Sequence, residues 1–223
     1  SLGHFYNAFN DSLTDFKENH VNYIQKENFF SKKCFVKRGN EIELQNLLEL
    51  LGFDNELRLS LLSHLISSSG ISSIVNYPYL IDENTRLVYY SLITQRTYIK
   101  ENDFKSMKST NESTHFIKEI FHGIEFLILL RVNRDSNKFI DPLLDDFCQS
   151  LNKSTNLSNK YSNEQISLFS IYSNIPFLTE KRTIQEIYDS VRPIESNLDR
   201  HWPLTYILHP IKTSKSNLYY PIR

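Results

Sequence analysis

The chain has 223 residues, 40% of them hydrophobic, with 25 Lys and Arg against 26 Asp and Glu and a formal net charge of −1 at pH 7. That length allows one generous core or two small ones, and the balanced charge excludes a global electrostatic pull toward nucleic acid or an anionic membrane. Two distant cysteines, Cys34 and Cys148, exclude a disulfide-built scaffold while leaving a single bridge open, and five glycines exclude a glycine-rich phosphate cradle.

In chain order, the first distinctive stretch is "KKCFVKR", in which Lys32, Lys33, Lys37 and Arg38 form the best local cationic patch. It reads as a contact for an anion or lipid headgroup, or as a solvated loop or strand edge. Next, "NEIELQNLLELLG" has Asn40 as a candidate N-cap, Glu41 and Glu43 in the first turn and Gly52 as the stop, which predicts a helix. A second helix follows in "DNELRLSLLSHLISSSG", capped by Asp54, striped by Leu57, Leu61, Leu62, Leu65 and Ile66, and stopped at Gly70.

From Arg86, "RLVYYSLITQRTYIK" is rich in Tyr, Val, Ile and Thr, places Leu87, Tyr89 and Ile93 on one face, and predicts a strand. "STHFIKEIFHG", 113–123, is ambiguous: Phe116, Ile120 and Ile124 repeat at helical spacing, yet Ile124, Phe126, Ile128, Leu130 and Val132 continue as one face of a long strand. After a turn in "NRDSN" comes a short helix through Phe139, Leu143, Leu144 and Phe147, then a polar loop over 152–164. "ISLFSIYS" predicts a strand, and "TIQEIYDSV" a helix opened by Thr183 and Glu186 at capping-box spacing, with Ile184, Ile187, Tyr188 and Val191 as its stripe. The last predicted strand runs from Leu204 to His209 between Pro203 and Pro210.

Catalytic patterns are missing. There is no GxSxG elbow, HExxH, P-loop or cysteine–histidine signature, so an enzyme is not expected and no cofactor is implied. His115 and His122 lack a third ligand at convincing spacing and read as structural histidines before zinc ligands. Asp141 and Asp145, four apart with Asp146 beside them, could hold a cation or do acid–base work, but near a helix start they suit the macrodipole. Aromatic residues without basic interleaving argue against nucleic acid. No apolar run nears the roughly 18–20 residues of a spanning helix, and the sequence shows no charged-then-apolar leader pattern, so the chain as given is expected to be soluble, in a secreted or cytoplasmic setting alike.

One resemblance organises these pieces. Thr114, His115 and Phe116, then six residues, then Gly123, resemble the signature of the membrane-attack-complex/perforin and cholesterol-dependent cytolysin superfamily. "LGHFYNAFNDSLTD", "LRLSLLSHLISSSGISSIVNYPYLID", "LFSIYSNIPFLTEKRTIQEIYDSV" and "WPLTYILHPI" are similar, in order, to blocks of its stonustoxin-type branch. The resemblance implies one α+β domain over 1–223: a bent, twisted antiparallel central sheet flanked by a helical cluster at about 40–70 and another at about 135–165. It answers the ambiguity as strand, with Gly123 where the sheet bends. Two positions depart from the pattern: Ile124 replaces a second glycine, and Ser173-Asn174 stands where Gly-Asp is usual.

Function follows as an expectation from the same resemblance: homo- or hetero-oligomers of related domains whose helical clusters unfurl into amphipathic hairpins in a lipid membrane. Such a segment needs helical and alternating periodicity together. The first cluster offers both, with Ile42, Leu44, Leu48 and Leu50, then Leu57, Leu59, Leu61 and Leu65, alternating with polar residues; an ordinary amphipathic helix gives the same pattern. Pro142, Asp145 and Asp146 make the second cluster a poor lipid-facing strand. The alternative expectation is a non-lytic interaction or oligomerisation module of a larger protein.

Overall fold

The computed structural model describes residues 2, 5–7, 12–14, 24–100, 114–133, 137–157, 166–196 and 202–210, and all structural statements concern these. In chain order the elements are β1 (Phe5–Asn7), β2 (Ser12–Thr14), β3 (Ile24–Arg38), α1 (Leu44–Leu50), α2 (Asn55–Leu62), β4 (Thr85–Ile99), β5 (His115–Val132), α3 (Asn137–Lys153), β6 (Ile166–Ser173), α4 (Ile184–Ser196) and β7 (Trp202–Pro210). The strands make one seven-stranded sheet ordered β2-β1-β5-β4-β3, with β6 and β7 also pairing with β5. The architecture is α+β.

The chain divides into two compact units: Phe30–Thr94 with Gly123–Leu204, and Ser1–Phe29 with Gln95–His122 and Thr205–Arg223. In the first, larger unit, β5 is buried on both faces. Ile124, Phe126, Ile128, Leu130 and Val132 join Val88, Tyr90 and Leu92 of β4 in one core, closed by Ile140, Leu144, Phe147 and Leu151 of α3 and by the stripe of α4. Leu127 and Leu129 point the other way and join Leu87 and Tyr89 in a second core with Leu47, Leu48 and Leu51, and with Ile71 and Ile74 of a 3-10 segment. A side-chain period of two separates these residues onto opposite faces. The helix-like stripe counted in the sequence is what such a doubly buried strand produces.

β6 lies antiparallel to β5, from Phe126 opposite Ser173 to Val132 opposite Ile166, with a register shift at Arg131/Val132. In the smaller unit β1 pairs antiparallel with β2 and with β5, Phe5 opposite Phe116 and Tyr6 opposite His115. There Arg96 grips Glu119 with two nitrogens, Nη2 to Oε2 being 3.0 Å, and stands 4.8 Å over the Tyr98 ring.

Several expectations change. Asn40 lies in a 3-10 turn and α1 begins at Leu44, because Ile42 and Glu43 stay extended. α2 stops at Leu62, well before Gly70, with His64 in the left-handed region at φ 54° and the Leu65 N–H reaching the Ser60 carbonyl. α3 is longer than the predicted short helix; Leu144 and Phe147 are buried as expected, but at its start Ile140 is fully buried while Phe139 is 68% exposed. The "KKCFVKR" stretch is the end of a 15-residue strand. The Thr183–Glu186 capping box forms as read, Glu186 N–H donating to Thr183 Oγ1 at 2.9 Å and Thr183 N–H to Glu186 Oε2 at 3.2 Å.

Candidate functional site

Gly123 opens the larger unit's share of β5, and its missing side chain is required there. A Cβ would lie 1.9 Å from the Leu92 carbonyl oxygen and 3.0 Å from Ile93 Cα. Immediately after it, the Ser173-Asn174 pair clasps the β5 backbone. Ser173 Oγ donates to the Glu125 carbonyl at 2.6 Å, Asn174 Oδ1 accepts from the Glu125 N–H at 2.8 Å, and Asn174 Nδ2 donates to the Gly123 carbonyl at 3.3 Å. These side-chain bonds add to the backbone pairing, in which the Asn174 N–H donates to the Glu125 carbonyl at 3.3 Å, and Ile124 buries into the α3-facing core.

Glu125 also accepts a 2.5 Å hydrogen bond from the Tyr89 hydroxyl. Burial raises its carboxyl above the ordinary value, and burial with the neighbouring Glu125 charge drives the Tyr89 hydroxyl strongly upward. The Tyr90 hydroxyl, on the opposite face, is raised in the same way by burial and by Glu195, to which it donates. Sequence patterns gave no sign of either pair, because partners 36 and 105 residues apart meet only through the sheet.

The other signature residues lie in the smaller unit. His115 Nδ1 and Thr114 Oγ1 share a hydrogen bond of 2.8 Å, and Phe116 is buried. Among the described residues no group of three or more His, Cys, Asp or Glu is placed to hold a metal ion. Asp141 is instead an ion-pair hub, meeting Arg86 Nε at 2.5 Å and Arg38 Nη2 at 2.9 Å. Asp145, with Val36, Lys37, Arg38, Glu41 and Asp141, lines a cavity of about 220 Å³.

Strand alternation splits the cationic stretch between two faces. Lys32 reaches Glu195 Oε1 at 3.1 Å, the Leu151 carbonyl at 2.7 Å and Ser154 Oγ at 2.9 Å. Lys33, one residue on, points the other way, over the rings of Phe35 and Tyr89 at 5.1 and 5.7 Å. Lys37 is half-buried and Arg38 is paired with Asp141. Of the candidate hairpin positions, Leu48 and Leu61 are buried, Ile42 and Leu44 are half-buried, and Leu50, Leu57, Leu59 and Leu65 are exposed. Leu65 and His64 help line a shallow cavity of about 380 Å³.

No family model matches the chain, and no curated protein does. A solved structure does, over nearly the whole length: 94% of this chain superimposes at TM-score 0.54 and 12% identity on "Stonustoxin structure". The fold is shared with stonustoxin. This chain spans 29% of the stonustoxin chain's length. The structure of wild-type pneumolysin matches 81% of this chain and 40% of its own at TM-score 0.34 and 11% identity. Within the stonustoxin-like fold, the helical groups pack on a central sheet, and no helix among the described residues is long and apolar enough to cross a membrane, a statement that leaves strands aside.

Proposed function

We propose that this chain is a stonustoxin-type domain of the membrane-attack-complex/perforin and cholesterol-dependent cytolysin superfamily, pore-forming-toxin-like, which oligomerises with related domains and acts on lipid membranes. The observation that carries the proposal is the fold shared with stonustoxin along 94% of the chain. It agrees with the Thr114-His115-Phe116 and Gly123 signature and with the close backbone approach that makes Gly123 necessary. The α1–α2 segment is the element that leaves the sheet. Leu57, Leu59 and Leu65 are exposed in the folded chain and would share the lipid face of an extended strand, since residues an even number apart point the same way.

Dye release from vesicles of phosphatidylcholine with anionic lipid and cholesterol tests this. The chain is expected to release dye, and Leu57→Asp/Leu59→Asp/Leu65→Asp to fold normally yet release none, because carboxylates on a lipid-facing strand cost several kcal/mol, on the order of 2 or more together. No release by the unaltered chain from any lipid composition removes the lytic reading and leaves the non-lytic interaction module.

A further inference from the structure

Cys34 of β3 and Cys148 of α3 are joined by a disulfide, their Cα atoms 5.3 Å apart. The bridge sits in the middle of a seam. At one end Arg38 pairs with Asp141 at 2.9 Å. At the other, Asn152 Nδ2 reaches the Cys34 carbonyl at 3.5 Å, and Lys32 Nζ donates to the Leu151 carbonyl and to Ser154 Oγ just past the helix end. The seam is regular because 32, 34 and 38 share one face of β3, while 141, 148 and 152 follow one another along α3. Among the described residues α1 and α2 have no such fastening: the bond from Lys33 Nζ to the Leu50 carbonyl is 3.5 Å, and Leu50, Leu57 and Leu59 stand exposed.

We infer that the Cys34–Cys148 bridge is a redox clamp that holds α3 on the sheet and whose reduction by a dithiol lets the helix lift. A dithiol thiolate attacks the sulfur of Cys34, a half-buried residue of β3, the last strand in the sheet order. The S–S bond breaks, Cys148 leaves as a thiolate, and a mixed disulfide forms; the second dithiol thiolate then displaces Cys34. Two electrons pass from dithiol to bridge, the dithiol ends as its own disulfide, and its two protons leave both cysteines as thiols. What remains on α3 is noncovalent: the half-exposed Arg38–Asp141 pair contributes little, which leaves Arg86 on Asp141 and the packing of Ile140, Leu144, Phe147 and Leu151 to hold the helix without the bridge. The clamp goes beyond the membrane reading and its test needs no lipid.

Hydrogen exchange on the oxidised chain, the dithiol-treated chain and Cys34→Ala/Cys148→Ala reads it directly. Loss of the bridge should speed the amides of α3 about tenfold or more beyond any change in β4, β5 and α1. Equal acceleration throughout would show that the bridge acts only through the unfolded chain, and no acceleration would show that noncovalent packing alone fixes α3; either overturns the clamp. So does a bridge that survives a dithiol treatment sufficient to reduce the denatured protein. If the double variant does not fold, the dithiol-treated native chain decides.

Discussion

At Gly123 the backbones of β4 and β5 approach so closely that one methyl group has no room. The obstacle is the Leu92 carbonyl, part of a strand, not the flexible end of a side chain. Gly123→Ala should therefore cost about 3 kcal/mol in denaturant unfolding, the overpacking range for a position that cannot relax. A loss within error of zero would show that β4 shifts freely. Two residues on, Glu125 keeps a carboxyl in a buried setting. Its pKa is raised by burial, with the Tyr89 hydrogen bond lowering it only in part. A raised folded-state value makes a contribution to stability that is complete below the unfolded value of a carboxyl and is lost as pH rises through the folded one. Glu125→Gln keeps an acceptor for Tyr89 but cannot titrate. Its stability relative to the unaltered protein should move in the variant's favour from about pH 4 to about pH 7, measured as the difference in unfolding free energy. A difference independent of pH would mean the carboxyl titrates as it does in the unfolded chain.

Among the elements, helix ends follow the local capping chemistry, which agrees with the stop read in the sequence for α1 and not for α2. Gly52 closes α1 as read, at φ 90°, with the Phe53 N–H bonded to the Leu48 carbonyl at 3.0 Å. α2 closes on His64, which takes the left-handed conformation that glycine adopts without strain. His64→Gly should therefore raise stability by about 0.5–1 kcal/mol in thermal or denaturant unfolding. Any destabilisation would mean that the imidazole contributes more than the backbone loses. β3 shows the same dependence on surroundings. Its charged sequence, "IQKENFFSKKCFVKR", has little of the apolar alternation that marks strands, since as the last strand in the order it is exposed over much of its length. Its extended form is fixed by β4 beside it and by α3 across its even-numbered face.

For the whole molecule, the decisive feature is that β5 divides the larger unit into two cores. Phe126 stacks on Tyr90 at 5.1 Å on the α3–α4 side, while Leu127 is fully buried on the α1 side. Phe126→Ala should cost about 3–5 kcal/mol and Leu127→Ala about 2–5 kcal/mol, although the two residues are adjacent and point apart. Chemical denaturation of both variants checks this. A near-neutral Leu127→Ala would mean that the α1 side is not a packed core.

What the sequence determined by itself was the set of local signals: a Val/Tyr/Thr-rich strand at β4, the Asp54 cap, which accepts from the Leu57 N–H at 2.8 Å, the capping box and stripe of α4, and Gly52 as a helix stop. These are legible because each is a propensity or hydrogen bond within a few residues of chain. The 115–132 segment was ambiguous on periodicity, since burial on both faces puts apolar residues at even and odd positions alike and blurs the period that tells a strand from a helix. Only the tertiary structure decided the rest: which face of the cationic strand meets which helix, that Ser173 and Asn174 hold the β5 backbone, that Glu125 meets Tyr89, and that Cys34 pairs with Cys148 across 114 residues. Each depends on strands and helices far apart in sequence arriving at one place, and no local pattern encodes the distance between them.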